Sequence, residues 1–175
     1  RAADLAAAAG APAMLNPAPA MPLSDTLLSH LTYLSPNEHE AALLTHTPLP
    51  EGTILQAART AAGELAQKGV EKVIVTLGEH GAVLLQDGQF YHSPCVPDVH
   101  VLDPTAAGDS FLGAFCTAVC YGLSDEQAME FAGCAAALTV SHMGAQPSLP
   151  TLREVLDLME QLGKTALRQE VLAHW

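Results

Sequence analysis

The stretch KVIVTL, residues 72–77, is an almost unbroken run of β-branched and apolar residues. Such a run is typical of a strand buried on both faces of a parallel sheet. Upstream, an Ala-rich segment predicts a helix over 53–68 that ends at Gly69, because glycine readily closes a helix. Downstream, residues 81–92 predict a hairpin, since the Asp-Gly pair at 87–88 favours a two-residue turn between paired strands.

The other segments alternate between strand patterns and helix patterns. Short strands are predicted at 13–16, 31–34 and 99–102, and helices at 2–9, 24–30, after Asn37, at 107–121, 125–142 and 152–162, with 164–174 as a continuation. Strands that alternate with helices imply a layered α/β fold with a mostly parallel sheet.

The composition excludes several classes of function. The chain has 175 residues with 7 Lys or Arg against 19 Asp or Glu, which gives a formal net charge of −12. Nucleic acids and anionic membranes are held by clustered basic side chains, so we expect neither as a partner. The apolar stretches are too short or too interrupted to span a membrane, and the N-terminus lacks a signal-peptide pattern. We therefore expect a cytoplasmic protein.

The cysteines and histidines suggest no metal cluster. Cys95, Cys116, Cys120 and Cys134 form no C-x-x-C pair and no zinc-site spacing with histidine. They are predicted to be reduced core residues, because free cysteine packs as a small hydrophobe.

The segment DPTAAGDSF, residues 103–111, passes from a predicted strand into a predicted helix. Its small residues let the backbone approach a ligand, and the unpaired amides at about 106–108 form an anion site. Asp109 also has an ordinary explanation, since aspartate favours the positive end of a helix dipole. The second acid, Asp103, and the small residues between the two favour the functional interpretation.

Five motifs follow one another along the chain. They are NPAPA at 16–20, PNEHE at 36–40, TLGEHG at 76–81, DPTAAGDSFLGAF at 103–115 and GAQPS at 144–148. With them the chain resembles the ribokinase-like (PfkB) family of carbohydrate kinases, whose C-terminal signature the 103–115 segment fits at every specified position. The resemblance implies a three-layer α/β/α ribokinase-like fold. It makes residues 1–175 the C-terminal, nucleotide-binding and catalytic-base portion of one kinase domain, with the family's N-terminal half and lid absent from the chain.

The resemblance also assigns roles to residues. Asp109 becomes the general base that takes a proton from the substrate hydroxyl, and it counts as substrate-binding. The anion hole that holds charge on the transferred phosphoryl group would span the backbone at 106–109, with Ala106, Ala107 and Gly108 as its named members. The ATP contacts would be Asn37, Thr76, Leu77, Gly78, Glu79, His80, Gly81, Gly108 and Gly133. Family members often carry a polar side chain at the position of Gly133, which glycine cannot supply.

Two metal ions follow from the same resemblance. Glu40 matches the Mg²⁺ position and would act through metal-bound water, since Mg²⁺ keeps several waters. A K⁺ activator would be bound by Asp103, Thr105, Thr139, His142, Gly144 and Ser148. From the residues alone, Asn37 is equally a helix N-cap, Glu40 a solvated helix face and His142 a helix C-terminal residue.

The function that the resemblance implies is ATP-dependent phosphorylation of a sugar hydroxyl. The GAQPS and NPAPA segments favour D-ribose as the acceptor, giving D-ribose 5-phosphate. Alternatives are a kinase for fructose, ketodeoxygluconate, a nucleoside or pseudouridine, and a non-catalytic nucleotide-binding fragment. The parent protein can be a homodimer, and the isolated chain is expected to be inactive, because positioning supplies much of the catalysis. No Lys or Arg lies between Lys72 and Arg153. A nucleotide bound in this region would therefore be held by backbone amides, a helix start and metal cations, or by basic residues of the family's N-terminal half.

Overall fold

A computed structural model describes every residue from Arg1 to Trp175. The chain divides into two compact units, Arg1–His92 and Ser93–Trp175. The first unit contains helices α1 (Ala2–Ala8), α2 (Asp25–Leu28), α3 (Glu38–Thr45) and α4 (Ile54–Gln67), and strands β1 (Met14–Leu15), β2 (Tyr33–Leu34), β3 (Lys72–Thr76), β4 (Ala82–Gln86) and β5 (Gln89–Ser93), the last of which ends one residue beyond the boundary. The second unit contains helices α5 (Ala107–Cys120), α6 (Asp125–Val140), α7 (Leu152–Gln161) and α8 (Thr165–His174).

The sheet is mixed, whereas the sequence predicted a mostly parallel one. Its order is β1-β2-β3-β4-β5, with β1–β2 and β2–β3 parallel and β3–β4 antiparallel. The link from β3 to β4 is a single 3₁₀ turn, Gly78–His80, and a connection this short joins only antiparallel neighbours. The predicted hairpin is confirmed, with Asp87 at φ 50° and Gly88 at φ 74° in its turn.

The core of the first unit confirms the strand predicted at 72–77. Val73, Ile74 and Val75 of β3 are fully buried. Helix α4 packs its alanines and Leu65 into the same core as β3 and β4. The predicted end of this helix is also confirmed, because Gly69 follows it at φ 106°.

The strand predicted at 99–102 is wrong, because these residues form an irregular segment. Their backbone groups have no neighbouring strand, since every regular element from residue 94 onward is helical. Instead the amides of Leu102 and Asp103 both donate to the Val140 carbonyl at the end of α6, at 2.8 and 3.2 Å. Val101 and Leu102 remain 58% and 52% exposed.

The four helices of the second unit lie where the sequence predicted them. Capping boxes begin two of them, Ser124 with Gln127 at α6 and Thr151 with Glu154 at α7. Trp175, after α8, stacks on Tyr121 with 4.4 Å between ring centroids. No helix in the structure is both long and apolar enough to cross a membrane.

All four cysteines are free thiols, as predicted, but only one lies in the core. Cys134 is buried on α6, and burial raises the pKa of its thiol to about 11. Cys95 and Cys120 are exposed and Cys116 is half-buried, so the prediction of core positions is wrong for these three. Helix α5 turns Cys116 and Cys120 away from its buried face, which carries Phe111, Phe115 and Ala118.

Candidate functional site

The loop before α5 is held by the carboxylate of Asp103. Its Oδ1 accepts from the Thr105 amide at 2.9 Å and its Oδ2 from the Gly144 amide at 2.8 Å. Hydrogen bonds from the Thr105 side chain, the Gly144 amide and the Thr105 amide hold the pKa of Asp103 below its ordinary value. An ionised carboxylate therefore ties the loop to the segment that follows α6.

The first turn of α5 begins at Ala106, whose backbone is left-handed at φ 62°. A left-handed conformation is unfavourable for alanine, and no side chain caps this helix. The Ser110 amide donates to the Ala106 carbonyl at 2.8 Å and closes the turn. The Ala107 amide donates to the Pro104 carbonyl at 3.2 Å, so this member of the predicted anion hole already has a partner.

The amides of Gly108 and Asp109 have no carbonyl partner and are the unpaired donors of this helix start. The sequence predicted a backbone anion hole at 106–109 and named Ala106, Ala107 and Gly108 as members, so the Asp109 amide lies within the predicted range. A known helix boundary identifies both donors, since the first amides of any helix are unpaired. The Asp109 side chain is exposed in the same turn, so a carboxylate and two free amides lie together.

Asn37 and Glu40 form a capping box at the start of α3. The Glu40 amide donates to Asn37 Oδ1 at 2.8 Å, and the Asn37 amide donates to Glu40 Oε2 at 2.9 Å. The N-cap alternative for Asn37 is therefore confirmed, whereas the solvated-face alternative for Glu40 is wrong, because its side chain is only 9% exposed. Glu40 Oε1 takes no part in the box and stays available to a metal-bound water.

Asn37 also pairs with Thr76 in an isolated parallel bridge, next to the carboxyl ends of β2 and β3. The Thr76 amide donates to the Pro36 carbonyl at 3.1 Å. Ligands of α/β sheets bind at this end of parallel strands. The structure therefore brings the predicted nucleotide contacts Asn37 and Thr76 together within the first unit.

The loop after β3 presents backbone rather than side chains. Gly78 and Gly81 have φ values of 52° and 81°, which other residues rarely adopt. Leu77 is buried, and its amide donates to the Gly81 carbonyl at 2.8 Å. Glu79 is exposed, while the carbonyl of His80 lies 2.8 Å from the His92 ring. Of the predicted contacts in this loop, Leu77 can therefore offer only its main chain.

The predicted K⁺ residues are only partly brought together. Asp103, Thr105 and Gly144 meet through the Asp103 carboxylate, and the Thr139 carbonyl accepts from the His142 amide at 3.2 Å. Other side chains of the set point elsewhere, since His142 Nδ1 lies 2.9 Å from the Leu138 carbonyl and the Ser148 hydroxyl donates to Ala145 at 2.6 Å.

Other places in the structure add no further chemistry to the site. No three His, Cys, Asp or Glu side chains converge on a common metal position. Gly133 lies within α6, and a Cβ built on it would stand 4.0 Å from the Ser93 hydroxyl. A cavity of about 340 Å³ in the first unit has mainly apolar walls, including Met21, Leu43 and Leu65. It contains none of the predicted site residues, so we place no chemistry there.

The chain matches the pfkB family carbohydrate kinase profile over residues 1–152. It is 40% identical to ribokinase of Haemophilus influenzae over 161 residues, which are 91% of this chain and 51% of that protein. It is also 40% identical to ribokinase of Schizosaccharomyces pombe over 147 residues, 83% of this chain and 46% of that protein. The chain therefore spans about half the length of these curated relatives.

A solved structure shows the same fold. Ribokinase of Arabidopsis thaliana, complexed with ribose and ATP, superposes with a TM-score of 0.81 at 36% identity. The match covers 90% of this chain and 50% of the Arabidopsis chain. The chain has an α/β ribokinase-like fold and belongs to the pfkB family of carbohydrate kinases.

Proposed function

We propose that the protein carrying this chain transfers the γ-phosphoryl group of ATP to the 5-hydroxyl of D-ribose. The curated relatives described above are ribokinases at 40% identity, and the Arabidopsis relative was solved with ribose and ATP. The observation that carries the proposal is the first turn of α5, where the exposed Asp109 carboxylate lies beside the unpaired amides of Gly108 and Asp109.

The proposed chemistry follows from this arrangement. The ribose hydroxyl oxygen bonds to the γ-phosphorus as the bond to the ADP oxygen breaks, and the hydroxyl proton passes to the Asp109 carboxylate. The unpaired amides stabilise negative charge that develops on the transferred group. A site without arginine or lysine depends on such backbone donors, and none of those residues lies between Lys72 and Arg153.

The first unit supplies the nucleotide side of the proposal. Thr76 and the backbone of 77–81 would line the phosphates, with Asn37 beside them. When Mg²⁺ is bound with ATP, it neutralises phosphate charge, and Glu40 Oε1 would hold one of its waters. K⁺ would lie near Asp103, where the carboxylate is ionised and the Gly144 amide fixes its orientation.

The central test compares Asp109→Asn with Asp157→Asn, an exposed aspartate of α7 that serves as the matched control. Both are introduced into this chain and into a chimera that joins it to the N-terminal half of the Haemophilus relative. We expect the chimera to phosphorylate ribose, Asp109→Asn to lower kcat by at least about a hundredfold, and Asp157→Asn to have no effect. Nucleotide binding by the chimera should survive both substitutions.

Three outcomes would each contradict a different part of this proposal. Nucleotide binding without turnover in the unsubstituted chimera would support the non-catalytic alternative. Faster turnover with fructose or a nucleoside than with ribose would assign another member of the family. Ribose phosphorylation by the isolated chain at ordinary rates would contradict the expectation that this chain alone is inactive.

A further inference from the structure

Two buried hydroxyl groups meet where α5 packs against α6. Thr139 Oγ1 lies 2.7 Å from Ser110 Oγ and 3.0 Å from the Ala135 carbonyl. Thr139 is 0% exposed and Ser110 is 7% exposed. Both contacts are satisfied when Thr139 donates to Ala135 and Ser110 donates to Thr139, since each hydroxyl has one proton.

This pair lies directly beside the proposed catalytic turn. Ser110 follows Asp109, and its amide closes the first turn of α5 on the Ala106 carbonyl. Helices α2, α3, α6 and α7 begin with a side-chain cap, whereas α5 has none, like α1, α4 and α8. A tertiary contact therefore supplies the restraint that a local cap supplies elsewhere.

The other end of the loop is held by the next residue of α6. The Val140 carbonyl accepts from the amides of Leu102 and Asp103, just before the loop begins. Two consecutive residues, Thr139 and Val140, thus hold both ends of the 103–109 loop. The left-handed Ala106 lies between these two anchors. Without them, its backbone would favour an unstrained conformation.

We propose that Thr139 and Ser110 are positioning residues, whose hydroxyl pair holds the Gly108 and Asp109 amides and the Asp109 carboxylate in one geometry. The inference rests on the proposed kinase function for its purpose. The positioning role belongs to the hydroxyl of Thr139 and does not depend on a cation bound at its main-chain carbonyl. Loss of the Thr139 hydroxyl leaves the buried Ser110 hydroxyl without its partner, which is costlier than loss of an exposed hydrogen bond.

The test uses this 175-residue chain and three variants. Thr139→Val removes the hydroxyl at constant shape, Thr139→Ser restores it, and Thr117→Val is the matched control. Thr117 is a threonine of α5 whose hydroxyl donates to the Gly113 carbonyl at 2.7 Å, away from the loop. Amide hydrogen exchange at Ser110 is measured by NMR, and inorganic phosphate is titrated while the Gly108 and Asp109 amide signals are followed.

We expect Thr139→Val to speed exchange at Ser110 about tenfold, the size expected for one buried hydrogen bond. Phosphate affinity at Gly108 and Asp109 should fall by a similar factor. Thr139→Ser should restore both quantities, and Thr117→Val should change neither. If Thr139→Val does not fold, Ser110→Ala replaces it, because Thr139 keeps its bond to Ala135 in that variant.

The results separate this inference from the proposed function. Unchanged exchange at Ser110 in a folded Thr139→Val chain would overturn the inference, as would an equal effect of Thr117→Val. An absence of phosphate-induced shifts in the unsubstituted chain would count against the anion hole and therefore against the proposed function. The exchange measurement needs no ligand, so it decides the role of the hydroxyl pair in either case.

Discussion

At the scale of single residues, the 103–109 loop contains one unfavourable backbone conformation and is held by hydrogen bonds to one carboxylate. The backbone of Ala106 is left-handed, although this residue has a Cβ. Both carboxylate oxygens of Asp103 accept hydrogen bonds from backbone amides. Backbone strain of this kind persists only where surrounding contacts hold it, and it is common at functional sites. Each of these two residues gives a test in which no substrate is needed.

Ala106→Gly should stabilise the chain by about 0.5–1 kcal/mol, because glycine adopts φ 62° without the steric cost that alanine has. This value is net of the entropic cost of glycine, which is more flexible than alanine in the unfolded chain. Urea unfolding measures the change. Ala114→Gly, in the regular part of α5, should instead destabilise by about 1 kcal/mol. Equal destabilisation by both substitutions would mean that Ala106 is unstrained.

Asp103 should make stability depend on acid pH. Its pKa in the folded chain lies below the ordinary 3.8, so the stabilisation is complete above that value and is lost as pH falls through the lower, folded pKa. Asp103→Asn should therefore have a lower urea midpoint than the unsubstituted chain at pH 7. The difference between the two urea midpoints should be smaller at pH 3. Asp157→Asn controls for the loss of one negative charge. A constant difference between pH 7 and pH 3 would contradict the assignment.

At the scale of elements, the capping box of α3 has a structural role, and the proposed kinase would give its glutamate a chemical role as well. Glu40 holds the start of α3, and in the proposed kinase the same carboxylate faces a metal-bound water. Glu154 makes the equivalent box with Thr151 at α7, outside the five motifs. The two boxes therefore allow the structural role to be separated from the metal role.

Glu40→Gln should keep the capping bond, since an amide oxygen also accepts it, and change unfolding free energy by less than about 0.5 kcal/mol. The same substitution should weaken Mg²⁺-dependent ADP binding at least severalfold, as measured by calorimetry. Thr151→Ala should cost about 1 kcal/mol of stability without altering ADP affinity. ADP binding that is unaffected in Glu40→Gln would remove Glu40 from the metal site.

At the scale of the whole molecule, the net charge opposes the binding of the anionic nucleotide proposed above. The net charge is −12, and the motifs from TLGEHG to GAQPS lie in the stretch without lysine or arginine between residues 72 and 153. Such a chain repels a nucleotide triphosphate over distances comparable with the Debye length. In the proposed kinase, backbone amides and bound cations would supply the attraction.

Removal of Mg²⁺ with EDTA should therefore reduce ADP binding by at least about tenfold, because the metal neutralises charge that no side chain of this stretch opposes. Calorimetric titration with and without Mg²⁺ at fixed ionic strength measures the effect. Ca²⁺ is the informative substitute, since it shares the charge but not the compact geometry of Mg²⁺. Undiminished binding in EDTA would show that basic groups elsewhere hold the phosphates.

Local sequence determined the features whose causes lie within a few residues. Helix propensities, turn residues and capping explain four such features. These are the end of α4 at Gly69, the Asp87-Gly88 turn, the Asn37 cap and the helices of the second unit. The motif order also determined the family, because the signature at 103–115 is short and contiguous. These parts could be predicted because their interactions are near neighbours in the chain.

Tertiary structure alone decided the features that depend on a distant partner. The 99–102 segment has strand propensity but no strand beside it, and β4 runs antiparallel because its link to β3 is one turn long. Glu40 is buried, and Ser110 meets Thr139 across 29 positions of sequence. Burial and hydrogen-bond partners arise from the packing of whole elements. A local pattern therefore located Asp109 at a helix start, while only the fold showed which groups contact that turn.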